Sequence, residues 1–234
     1  MTLWYARQMI DPQLVSLAVH EFRTPASVVG GYLRMLLRDS DPPLTERQRH
    51  MVDEAEKSCA RLVAIVSELS EIGKLDSGAL TLTRQPIDLF SLVAEVAELV
   101  HEGADRGVRF DVRGPRDGAP MTGDAKRLRE AFDAIFRAIL RERPGPATMV
   151  AEQRIEARNG NAAAVVVVAD ESCVQLAYDR DRGPFDDRRG GLGLALPLAR
   201  RVIEGLGGRV WSLSGDEALV RGSAIISLPL ELKR

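Results

Sequence analysis

The chain has 234 residues, 45% of them apolar, with 32 lysines and arginines against 34 aspartates and glutamates. That length allows one or two domains with ordinary cores, and a net charge of −2 excludes a polycation built to hold nucleic acid. The longest uninterrupted apolar run, Ala162–Ala169, falls far short of the ~20 residues of a membrane helix, while Cys59 and Cys173 read as small apolar side chains rather than a disulfide framework or a metal site.

From Asp11 to Leu37 the apolar residues Leu14, Ala18, Phe22, Ala26, Val29, Leu33 and Leu36 recur every three or four positions, the mark of one helix face. His20 lies off that stripe, on the opposite, wet face, with Thr24 one turn later. Pro25 removes a helical hydrogen bond just beyond and is expected to loosen or bend the helix. A second helix is predicted from Thr45 to Ile72, where Val52, Ala55, Cys59, Leu62, Val66 and Leu69 follow a stricter heptad, a coiled-coil seam. Asp39-Ser40-Asp41-Pro42-Pro43 between them reads as a helix stop and turn, so the two helices form an antiparallel hairpin. Apolar seams on both members are best covered by a second copy, giving a four-helix bundle and a homodimer.

The polar stretch Gly73–Gly78 marks a change of composition, so a first domain is placed at residues 1–76 and a second at 77–234. In the second domain the pattern alternates. Strands are expected at Leu80–Arg84 and Val108–Val112, with helices at Asp88–Ala104 and Asp124–Arg141, each opened by an aspartate cap. Asn159-Gly160 between strand-like runs in Arg154–Ala169 signals a hairpin. A third helix is expected at Leu192–Leu206, capped by Gly207-Gly208, before strands near Arg209–Ser214 and Ser223–Leu230. Three helices and about five strands in this order predict a two-layer sandwich, and the whole chain an α+β fold.

His20-Glu21-Phe22-Arg23-Thr24-Pro25 resembles the phosphoacceptor box of the sensor histidine kinases of two-component systems. The resemblance extends into the second domain, which is similar to the family's ATP-binding domain. It rests there on Gly190-Gly191-Leu192-Gly193-Leu194, on Arg201–Val210 after it, and on Gly123–Glu130 upstream. It implies His20 as the nucleophile, Glu21 orienting the imidazole or accepting its proton, Arg23 steadying phosphoryl charge and Thr24 helping to orient a dephosphorylating water. For the nucleotide it implies Gly190, Gly191, Gly193 and Leu194 at the phosphates, Asp170 at the adenine amino group, and Arg141 in place of a phosphate-contacting lysine.

The chain departs from the family where two asparagines, one of them a magnesium ligand, are replaced by Ala134 and Ala138, and where glycines expected after Asp170 are Ser172 and Val174. ATP and magnesium are therefore the implied ligands, no residue here is assigned to the metal, and ATP chemistry is expected to be weakened. Two readings stand: a histidine kinase passing a phosphoryl group from His20 to a response-regulator receiver domain, or a non-catalytic phosphotransfer, phosphatase or scaffold protein docking that regulator. Either implies a cytoplasmic homodimer, without nucleic acid or membrane, taking its input from a separate sensory protein or from a part of the protein outside this chain.

Overall fold

The computed structural model describes residues 12–158, 161–179, 182–189 and 191–230. The chain divides into two compact units, the first running to Thr81 and the second beginning at Leu82.

The first unit is a pair of long helices, α1 (Pro12–Asp39) and α2 (Glu46–Asp76). Thr45 starts α2 with a capping box: its hydroxyl accepts from the Gln48 amide at 3.4 Å, and the Gln48 side chain accepts from the Thr45 amide at 3.0 Å. The helices run antiparallel, because partners climb along one as they descend the other. Arg23 donates to Ser67 at 3.3 Å, the Cys59 thiol donates to the carbonyl of Ala26 at 2.9 Å, and Arg34 pairs with Glu56 at 3.0 Å. Gly30 lets the backbones close up, since a Cβ there would sit 3.3 Å from the Cys59 sulfur. α1 continues as a helix without a break through Pro25.

The predicted stripes are divided by the structure. On α1 the buried line runs through Val19 and Gly30, whereas Phe22, Val29 and Leu36 of the expected stripe are exposed. On α2 the heptad splits: Cys59 is buried and Val52 and Val66 partly so, while Ala55, Leu62 and Leu69 face outward. Each helix thus carries apolar surface for two neighbours, of which the hairpin supplies one.

The second unit has two sheets. A small antiparallel pair joins β1 (Gln85–Asp88) to β3 (Pro120–Gly123). The main sheet has six strands in the order β2-β4-β5-β8-β7-β6, where β2 is Val108–Arg113, β4 Ala147–Arg158, β5 Asn161–Asp170, β6 Arg182–Pro184, β7 Arg209–Leu213 and β8 Ala224–Pro229. Only β2 and β4 run parallel, which requires a crossover, supplied by α4 (Ala125–Arg141). With α3 (Leu89–Leu99) and α6 (Ala195–Gly205), α4 forms the helical layer. Phe136 anchors it, its ring 4.9 Å from Phe110 on β2 and 5.7 Å from Phe132.

Strand β5 is covered on both faces, as its run of valines requires. Val165, Val167 and Ala169 alternate onto the face opposite the helices, where Val174, Ala177 and Leu213 pack against them. Two short helices lie in the later segments, α5 (Leu176–Asp179) and α7 (Glu217–Arg221). At the end of α6, Gly207 takes a φ of +81°, and a Cβ on Gly208 would meet the Ser227 carbonyl at 2.6 Å, so both positions require glycine.

Several expectations are corrected. The first strand begins at Gln85 instead of Leu80, α3 ends at Leu99, and α6 begins at Ala195. Strands β3 and β6 and helices α5 and α7 were not expected. The Asn159-Gly160 turn lies outside the described residues, but β4 and β5 pair antiparallel up to Arg158 and Asn161 on either side of it.

Asp88 and Asp124 cap α3 and α4 as the sequence predicts. Asp124 accepts from the amides of Arg127 at 3.1 Å and Thr83 at 3.0 Å. Burial by itself would raise this carboxyl, but those bonds and the Arg127 charge outweigh it and hold the pKa below the ordinary value. A depressed carboxylate stabilises the fold above the unfolded pKa and loses that contribution as pH falls through the folded one. Asp124→Ala is therefore expected to cost about 1–2 kcal/mol at neutral pH. In urea melts the gap to the parent should narrow toward pH ~2; an equal gap at both pH values would contradict the assignment.

Candidate functional site

His20 stands on the outer face of α1 with its side chain 79% exposed. Its Nδ1 faces the Glu21 carboxylate at 3.6 Å, which leaves Nε2 pointing to solvent. Thr24, one turn on, donates its hydroxyl to the His20 carbonyl at 3.3 Å. Pro25 has no N–H to give the carbonyl of Glu21. Arg23 points the other way, across to Ser67 on α2. The hairpin therefore brings His20, Glu21 and Thr24 together on one exposed face, and Arg23 beside it as a link between the helices.

In the second unit, Asp170 closes β5 in a tight turn. Its Oδ1 accepts from the Ser172 hydroxyl at 2.6 Å and amide at 3.0 Å, and its Oδ2 lies 3.6 Å from the Arg143 guanidinium. Burial would raise the Asp170 carboxyl, but the Ser172 bonds and the Arg143 charge prevail and hold it below the usual carboxylate range. Val174, expected where a nucleotide passes, is buried against Val165 and Val167.

Gly191 and Gly193 take φ values of +60° and +66°, the left-handed conformation that glycine allows, and α6 opens at Leu194 without a side-chain cap. Gly190 lies outside the described residues. Just before the loop, Arg189 is almost fully buried, donating to the carbonyls of Val220 at 2.7 Å, Arg221 at 2.5 Å and Ser223 at 2.9 Å and lying over the Phe185 ring. Burial pulls its pKa down to about 10, so it stays charged at neutral pH.

Arg141 pairs with Glu102 at 2.9 Å. Ala134 and Ala138 are both buried and offer only methyl groups. Asp133, which precedes Ala134 on α4, is bound by Arg137, and Glu102 by Arg141. Among the described residues no three His, Cys, Asp or Glu side chains gather as a metal would need. Magnesium does not fit this helix. Arg143, Arg189 and Glu102 were missed in the sequence, where an arginine or glutamate near a helix end reads as a solvated charge.

Residues 13–78 match the His Kinase A (phospho-acceptor) domain. Over 202 residues the chain is 27% identical to the signal transduction histidine-protein kinase BarA of Escherichia coli (strain K12), covering 82% of this chain and 22% of BarA. It is 24% identical over 216 residues to the sensor protein VanS of Enterococcus faecium, covering 87% of this chain and 54% of VanS. The chain thus spans about a fifth of the length of the first of these relatives. Its fold is similar to part of ShkA, solved at full length in complex with AMPPNP: TM-score 0.70 at 23% identity, over 96% of this chain and 47% of ShkA. The Acinetobacter baumannii histidine kinase AdeS aligns with a TM-score of 0.55 at 15% identity, over 92% of this chain and 98% of AdeS.

Proposed function

We propose that this chain acts as a sensor histidine kinase of a two-component system, in which His20 receives the terminal phosphoryl group of ATP and passes it to an aspartate on the receiver domain of a response regulator; the matched phospho-acceptor segment and the similarity to BarA and VanS support this reading. The strongest support is His20 itself, an exposed imidazole with Nδ1 against Glu21 and Nε2 open, inside the matched phospho-acceptor segment. The Nε2 lone pair attacks phosphorus as the bond to the leaving diphosphate oxygen breaks. The ring becomes cationic, and the Glu21 carboxylate 3.6 Å from Nδ1 stabilises that charge. In the second transfer an aspartate oxygen attacks, the P–N bond breaks, and His20 leaves as neutral imidazole.

The two domains divide this work, residues 1–76 for dimerisation and phosphotransfer and 77–234 for the nucleotide. Gly191, Gly193 and Leu194 are proposed at the phosphates, Arg141 adds positive charge, and Asp170 reads the adenine amino group. The outward apolar positions Phe22, Val29 and Leu36 on α1 and Ala55, Leu62 and Leu69 on α2 support a homodimeric bundle. No described helix is long and apolar enough to cross a membrane. A cytoplasmic setting, with input from a sensory protein or region, belongs to the same proposal.

Incubating the chain with γ-labelled ATP tests the reading. We expect phosphate on the protein that is lost in acid, survives alkali and chases onto a receiver domain. Acid-stable label, or none, would contradict it.

A further inference from the structure

We propose that Arg143 competes with the adenine of a nucleotide for Asp170, so that the chain holds its own nucleotide site shut; this rests on the reading of the second domain given above. An aspartate that reads adenine accepts from the exocyclic amino N–H. A guanidinium offers the same kind of donor and adds a full positive charge. Arg143 is placed to do so, with Nη2 3.6 Å from Oδ2 of Asp170 while Ser172 takes Oδ1. Both carboxylate oxygens are thereby engaged from within the chain.

Arg143 is held in that position from several sides. Its amide donates to the Leu140 carbonyl at 3.3 Å, and its own carbonyl accepts from Arg106 at 3.1 Å. Buried Gly222 packs behind the guanidinium, where a Cβ would come within 3.2 Å of Nη2. The neighbouring Glu142 pairs with Arg221 at 3.4 Å, tying the end of α4 to the end of α7. Arg189 binds the carbonyls of Val220, Arg221 and Ser223, so the same stretch is fastened to the segment that leads into Gly191. The ends of α4 and α7 and the approach to the glycine loop form one latch around Asp170. A nucleotide that pairs with Asp170 has to displace Arg143, at the cost of an ion pair whose partners are both partly buried.

The test is calorimetric titration of the whole chain with ATP, without magnesium, for the parent and for Arg143→Ala and Arg143→Met, with thermal melts to show that each is folded. Arg143→Met keeps much of the side-chain length without an N–H donor and serves if the alanine variant does not fold. We expect ATP to bind either variant about tenfold or more tightly than the parent. Adding Asp170→Asn to the variant should abolish the gain. If the parent binds ATP and neither variant binds it more tightly, the competition is overturned while the nucleotide site stands. If neither the parent nor any folded variant binds ATP, both are overturned.

Discussion

His20→Ala is expected to abolish labelling of the chain by ATP and transfer from it to a receiver domain, while leaving fold and subunit mass unchanged. The separation of the two effects follows from where the residue sits. His20 is exposed and lies away from the buried line of Val19 and Gly30, and the contacts that join the helices come from Arg23, Ala26, Cys59, Arg34 and Glu56. Alanine is also the best helix former, so α1 gains slightly, if anything. The chemistry has no substitute, because Glu21 and Thr24 offer oxygen atoms, which would give an acyl phosphate or a phosphate ester instead of a P–N bond. A folded His20→Ala protein carrying acid-labile, alkali-stable phosphate would refute the assignment.

Leu62→Asp should turn the proposed dimer into a monomer. Leu62 is 57% exposed in the single chain and occupies the same outward heptad line as Ala55 and Leu69. Covering it with a second copy removes about 2 kcal/mol of apolar surface from water per side chain. An aspartate there forfeits that and buries a carboxylate, and the two-fold symmetry of a homodimer inflicts the change twice. The combined loss of at least about 4 kcal/mol raises the dissociation constant roughly a thousandfold. The hairpin itself should survive, because Cys59, Val52 and Val66 face α1 and are untouched. Sedimentation equilibrium should give the mass of one chain with helical content retained; the mass of two chains would contradict the proposed interface.

The hairpin and the main elements of the second unit are legible in the chain because their signals are local. A three-four apolar repeat, an aspartate before each helix and glycines at Gly207 and Gly208 act over a few residues. The division of the apolar surface is not local. On α1 the apolar arc is wide enough for two partners, and periodicity alone does not say that Val19 meets α2 while Phe22 turns away. Strand β3 is four residues long and exists through its pairing with β1, some thirty-five positions earlier; β6 has three residues and depends on β7 in the same way. Pairing at such separation leaves no periodic trace.

The candidate site divides along the same line. The His20 box and the glycine loop are contiguous motifs and could be read directly. Asp170 was assigned an open role that the structure fills from within, because its partner Arg143 is brought to it by the packing of α4 beside β5. The replacement of two asparagines by Ala134 and Ala138 is plain in the sequence, and the structure adds that both methyl groups are buried in the helical layer.

The most direct test of the central claim is to locate the phosphate. The chain has three histidines, His20, His50 and His101, and an acid-labile label could in principle reside on any of them. Fragmentation mass spectrometry of the phosphorylated chain, digested and kept at alkaline pH, distinguishes them. We expect the phosphate on His20, whereas phosphate on His50 or His101 with His20 unmodified would contradict the assignment.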